Sequence, residues 1–402
     1  MYSLIKKILR KSTVFFYSGV KKNSLIIYDD FFPNPVSGFR FDEFTFLLKN
    51  IPSSRVIIDS EKTYSYFGYS KESRNVHLND FFIANGNEID TKRVSFVRKF
   101  NNINCKLVYL VFHNNLLRIY NYLEFFKVPY VITLYPGGGF IINDDETDKA
   151  LSHKLSSNLC KGVIVNQSFT KKYLIDKGIC DEQKIKLIFG LPISRDKLLY
   201  NLDLKQYYPH PKEHLDICFV AARYSKMGMD KGYDLFIEAA KFLNKKYAFI
   251  FFHVIGGFNE MDIEPEGLLN NIKFYGSIKS AELGCLLSNF DIIVAPNRTD
   301  VLTKGAFDGF PVGCCVEALL VGCCVITTDP LKENQFYIEN KEIFIVEPFV
   351  EQIVDIIEKL LFRPELIKTT GEAGMTKTKK LYSIGAQLKE RAIYLRGIIS
   401  NI

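Results

Sequence analysis

The sequence has no tryptophan, no cysteine framework and no dominant charge, and each shortage narrows what the chain can be. No apolar run reaches the roughly 18 residues of a membrane span, so no membrane-spanning helix is expected. The nine cysteines are odd in number and scattered. That excludes a disulfide scaffold and points to a reducing cytoplasm. The net charge of +7 is too weak and too dispersed for a nucleic-acid partner. It is a mild basic bias that suits phosphates or acidic lipid surfaces. Short-period repeats and low-complexity tracts are absent. The N-terminal "MYSLIKKILRKSTVFFYSGVKK" has neither a small-residue cleavage site nor a clean apolar core, so no secretory signal is expected.

What is present is a long alternation of strand-like and helix-like segments, in a chain of 402 residues that is long enough for two domains. In the first half, "SLIIYDD" (24–30), "SRVIID" (54–59), "CKLVYLVFH" (105–113), "PYVITLY" (129–135) and "GVIVNQS" (162–168) are apolar almost throughout, as strands covered on both faces must be. After a Pro-, Tyr- and Lys-rich linker (192–216), a second set follows at 216–223, 247–257, 271–276, 291–297, 323–329 and 343–348. Helical patterns such as "FRFDEFTFLLKNI" (39–51) and "EQIVDIIEKLLF" (351–362) lie between strands. The pattern predicts an α/β protein of two Rossmann-like, doubly wound domains, with ligands in the cleft at the carboxyl ends of the sheets. The expected divisions are 1–205, 206–380 and a terminal helix over 381–402 that returns to the first domain.

Three segments carry chemistry. "FVAARYSKMGMDKGYDLF" leaves a strand through Arg223 and enters a helix near Lys231, and two cations at such a mouth can neutralise a diphosphate. "DGFPVGCCVEALLVGCCVITTD" places Gly309, Phe310, Pro311, Val312 and Gly313 before a helix, whose N-terminal amides suit an anion. Glu317 lies about one turn into that helix, where a carboxylate can accept from both hydroxyls of a ribose. The four cysteines of this stretch, Cys314, Cys315, Cys323 and Cys324, lack the spacing of a zinc site. They read as packing. In the first half, Gly38 with Arg40, and the run Gly137, Gly138 and Gly139, mark strand ends where a ligand could approach the backbone closely. His113 also ends a strand.

Taken in order, these segments, with the strand ending at Gly256 and "DIIVAPN" ending at Asn297, closely resemble the C-terminal domain of glycosyltransferase family 4, the group 1 glycosyltransferases of retaining GT-B fold. "FFPNPVSGFRFDEF", "VPYVITLYPGGGF" and "GVIVNQSFTKKYLIDKGICDEQKIKLIFGLPI" extend the resemblance over nearly the whole chain. It implies that Arg223 and Lys231 hold a donor diphosphate, that Glu317 holds the ribose, and that Asp308 contacts the donor sugar. Asp308 departs from the family's Glu and stands nine positions before Glu317 instead of eight. Tyr135 occupies the place where the family often has a histidine. Gly38, Arg40, His113, Tyr135, Gly137 and Gly138 are the expected acceptor or cleft residues. No D-x-D occurs, so a metal-dependent sugar-nucleotide site is unsupported and no cofactor is expected, with a UDP- or GDP-sugar as substrate. The implied activity is retaining transfer from a nucleotide sugar to a glycan or lipid-linked acceptor in envelope, capsule or lipopolysaccharide synthesis. A sugar-nucleotide epimerase of the same architecture, or a non-catalytic nucleotide-sugar-binding protein, stays open. Leu4, Ile5, Ile8 and Leu9, interleaved with Lys6, Lys7, Arg10 and Lys11, also fit an amphipathic helix on the anionic inner face of a membrane, with a solvated helix packed on the first domain equally open.

Overall fold

The computed structural model describes residues 23–97, 104–193, 205–261, 268 and 270–402. The segment expected to meet a membrane, 1–22, and part of the expected linker, 194–204, lie outside the described residues. The chain divides into two compact units. The first takes the described residues up to Phe140, then Asp145–Pro192 and Gln387–Ile402; the second takes Ile141–Asp144 and the described residues from Ile193 to Ala386.

The first unit is built on seven strands: β1 (Asn23–Asp29), β2 (Ser54–Ile58), β3 (Val94–Phe96), β4 (Cys105–Val111), β5 (Tyr130–Leu134), β6 (Cys160–Val165) and β7 (Ile185–Leu187). They pair in parallel in the order β3-β2-β1-β4-β5-β6-β7. Six more strands form the second unit's sheet: β8 (Leu215–Val220), β9 (Ile250–Ile255), β10 (Ile272–Phe274), β11 (Ile292–Ala295), β12 (Cys324–Thr327) and β13 (Phe344–Ile345). Their order is β10-β9-β8-β11-β12-β13, again all parallel. Central strands such as "YVITL" and "LDICFV" are buried at every position. Helices cover both faces of such a sheet, which is why these runs carry no polar alternation.

Each sheet reverses its winding once, between β1 and β4 in the first and between β8 and β11 in the second. Crevices outside the carboxyl ends of strands at such points are where doubly wound folds take ligands. The helix Tyr233–Lys246 starts hard against the second of these points. Gly232, its cap at φ 72°, comes so close to β11 that an added Cβ would sit 2.2 Å from the Pro296 carbonyl oxygen. Only glycine tolerates both that angle and that approach.

The last helix, Glu390–Ser400, packs within the first unit, with Ala392, Leu395 and Ile399 in its core. Arg391 beside them is fully buried. Its guanidinium donates to Gln387 Oε1 at 2.8 Å and to the Tyr135 hydroxyl at 3.3 Å, and its Nε lies 3.6 Å from Glu43. Glu43, also fully buried, accepts from the hydroxyls of Tyr109 and Tyr135. Burial pushes the Glu43 carboxyl up, against the opposing pull of Arg391 and the two tyrosines.

Candidate donor site

The second unit brings three of the expected site residues into one contact. Lys231, just before its helix, donates to both carboxylate oxygens of Asp308, at 2.8 and 2.6 Å. Asn297, just past β11, donates to the same carboxylate at 2.6 Å. The loop that carries Lys231 is braced by Arg298, which donates to Asp234 at 2.6 and 2.7 Å and to the Met229 carbonyl at 2.8 Å. Burial alone would lower the Lys231 ammonium, but the Asp308 carboxylate more than offsets it and the net direction is up. Lys231 is therefore a cation throughout the physiological range. Arg223 is exposed beyond the end of β8, its guanidinium 3.4 Å from the Gly257 carbonyl oxygen. Gly256, at φ 131°, ends β9 beside Ala221.

Gly309, Phe310, Pro311 and Val312 lead into the helix Gly313–Leu320, which is capped by extended Val312 without any side-chain hydrogen bond to its first turn. The positive end of such a helix is favourable to an anion. Glu317 lies half-buried one turn in. Asp308, Asn297 and Phe310, with Thr328 and Asp329 beyond β12, line a small pocket of about 20 Å³. Asp329 accepts from the backbone amides of Glu333 and Asn334, each at 2.8 Å. Burial pushes its carboxyl up. Arg298 and Asp329 gave no sequence signal beyond their place just after strands. Of the clustered cysteines, Cys315, Cys323 and Cys324 are buried and Cys314 is half-buried. Cys323 Sγ lies 3.1 Å from the Leu287 carbonyl oxygen. Among the described residues no group of three or more His, Cys, Asp or Glu is placed to hold a metal ion.

In the first unit the structure places Gly38 at the start of the helix Gly38–Asn50, and Arg40 two residues on. Arg40 pairs with Asp29 at 3.1 Å and Asp30 at 3.0 Å, at the carboxyl end of β1. Thr63 at 2.8 Å, Asn115 at 3.2 Å and Arg118 at 3.3 Å also meet Asp30. Burial lifts the Asp29 carboxyl, whereas at Asp30 Arg40 and its neighbours outweigh burial and hold it low. The acid pair was visible in the sequence only as the end of a strand. His113 is buried, its Nδ1 3.0 Å from the Gly139 carbonyl oxygen; that oxygen can only accept, so Nδ1 carries the proton. Tyr135 is buried in the Glu43–Arg391 network, and Gly137 and Gly138 form a turn with φ of 75° and 55°.

Two doubly wound parallel sheets in one chain, each with polar side chains at its reversal point, are the GT-B architecture of glycosyltransferases. Residues 204–377 match the family "Glycosyl transferases group 1". That match spans most of the second unit. HepE of Anabaena, solved in complex with UDP and glucose, is similar in fold, with a TM-score of 0.66 and 14% identity over 93% of this chain and 100% of that one. A glycosyltransferase from Rickettsia africae gives 0.62 and 17% identity, covering 96% and 100% of the two chains. Sucrose-phosphate synthase from Thermosynechococcus elongatus gives 0.65 and 14%, covering 94% and 100%. No curated protein sequence matches the chain. Among the described residues no helix is long and apolar enough to cross a membrane.

Proposed function

We propose that this protein is a retaining, metal-independent glycosyltransferase that moves a sugar from a UDP- or GDP-sugar to a glycan or lipid-linked acceptor. The setting we assign is cytoplasmic synthesis of envelope, capsule or lipopolysaccharide, at the inner face of the membrane. The observation that carries the reading is the convergence of Lys231, Asp308 and Asn297 at the reversal point of a group 1 domain, beside a helix whose first turn has no side-chain cap. In this reading Arg223, Lys231 and the amides at Gly313 neutralise the departing diphosphate, a preorganised electrostatic contribution. Glu317 takes the ribose hydroxyls. Asp308 and Asn297 face the donor sugar. The acceptor is held by the first unit near Gly38, which starts a helix rather than ending a strand as the sequence suggested, and near His113 and Gly137, just past β4 and β5. Its hydroxyl attacks from the face that the diphosphate leaves, and no side chain forms a covalent intermediate.

Thermal-shift titration with UDP, GDP and ADP, followed by turnover of the matching nucleotide sugar with and without a chelator, tests this. HepE, similar in fold, was crystallised with UDP, which makes the uridine nucleotides the first to try. The expected result is a saturable shift with one base, an anomeric configuration unchanged by transfer, and a rate indifferent to chelator. No shift with any nucleotide refutes the donor site, inversion refutes retention, and loss of rate to chelator refutes metal independence.

A further inference from the structure

The Lys231 ammonium is neutralised by the chain's own carboxylate. Asp308 meets it with both oxygens, and Asn297 fixes one of those oxygens from the other side. Asp230, the next acid, is 3.9 Å away. The two partners are unequally confined. The Lys231 side chain is 12% exposed and Asp308 is 34% exposed, in a stretch without regular structure. Any anion that engages Lys231 must take over the position of Asp308, because two like charges cannot share it without a heavy electrostatic cost. Asp308 is the partner with room to turn away.

Once displaced, that carboxylate needs new donors. Its neighbours around one small cavity are Asn297, Thr328 and Asp329, polar groups that suit the hydroxyls of a ligand. We infer that Asp308 is an internal stand-in for the donor's diphosphate, released onto the hydroxyls of the donor sugar when the donor binds and left without them when only the nucleoside diphosphate remains. The exchange makes the site favour the intact nucleotide sugar over its own product. It deepens, and rests on, the reading of this domain as a nucleotide-sugar site.

Calorimetric titration of the full chain with UDP and with UDP-glucose, for the wild type, Asp308→Asn and Asp308→Ser, tests it; GDP and GDP-mannose replace them if guanine is the base bound. Asp308 is one-third exposed, so both variants fold, and circular dichroism checks that. The wild type is expected to bind the nucleotide sugar more tightly than the diphosphate. In both variants affinity for the diphosphate should rise about tenfold or more, roughly 1.4 kcal/mol, while affinity for the nucleotide sugar stays level or falls. Unchanged or weaker diphosphate binding by both folded variants overturns the inference and leaves the donor site standing. A wild type that binds neither UDP nor GDP removes both.

Discussion

Arg391→Met should be among the most damaging single substitutions in the first unit. Methionine fills much of the space of the arginine stem, so the loss is one of charge and hydrogen bonds rather than volume. The guanidinium is fully buried and faces a fully buried Glu43, with Tyr135 and Gln387 as its other partners. Removing one member of a buried pair leaves the other uncompensated, at a cost of about 3–5 kcal/mol. The cost should depend on pH in a defined direction. Burial already holds the Glu43 carboxyl above its ordinary value, and without Arg391 it rises further. A carboxyl whose folded value exceeds its unfolded one takes up a proton on folding, so stability falls as pH rises through the window between the two. Urea unfolding followed by circular dichroism at several pH values is the assay, since the chain has no tryptophan to report. The variant should lose more stability at pH 8 than at pH 5, and Glu43→Gln added to it should recover part of the loss and flatten the slope. A cost below about 1 kcal/mol, or an equal cost with and without Glu43→Gln, would refute the argument.

Glu317→Gln is nearly isosteric and should keep the fold while weakening donor binding by roughly 1.5–3 kcal/mol. Single Cys-to-Ser changes at 314, 315, 323 and 324 should move the melting temperature and leave donor affinity nearly alone; equal losses of binding from a cysteine and from Glu317 would count against the assignment. Asp216 in the second unit is held low: burial opposes ionisation, but hydrogen bonds from His253 at 2.6 Å and Lys212 outweigh it. A depressed carboxyl stabilises the fold above its unfolded value and loses that contribution as pH falls through the folded one. Asp216→Asn should therefore melt earlier at neutral pH and respond less to acid below about pH 4; a parallel acid response in both proteins would defeat this.

Much of the architecture was legible in the sequence because parallel strands buried on both faces read as apolar runs. All eleven predicted runs contain strands, such as β4 within 105–113 and β12 within 323–329. β3 and β7 escaped notice for a physical reason: each is three residues long, at a sheet edge and only partly buried, so neither carries an apolar signature. At the donor site the residue types could be named, but not their pairing. Nothing in "DKGYD" and "FDGFP" says that Lys231 will meet Asp308, 77 positions away. The Glu43–Arg391 pair is further out of reach, because a lone Glu and a lone Arg on amphipathic helices both read as solvated.

The return of the last helix to the first unit sets an order for synthesis. Domains usually fold in the sequence in which they leave the ribosome. Here the first unit cannot seat Arg391, Leu395 or Ile399 until residues 387–402 have emerged, after every strand of the second sheet has been made. Glu43 must wait for its counter-charge through some 350 residues of translation, so the amino-terminal half is finished last.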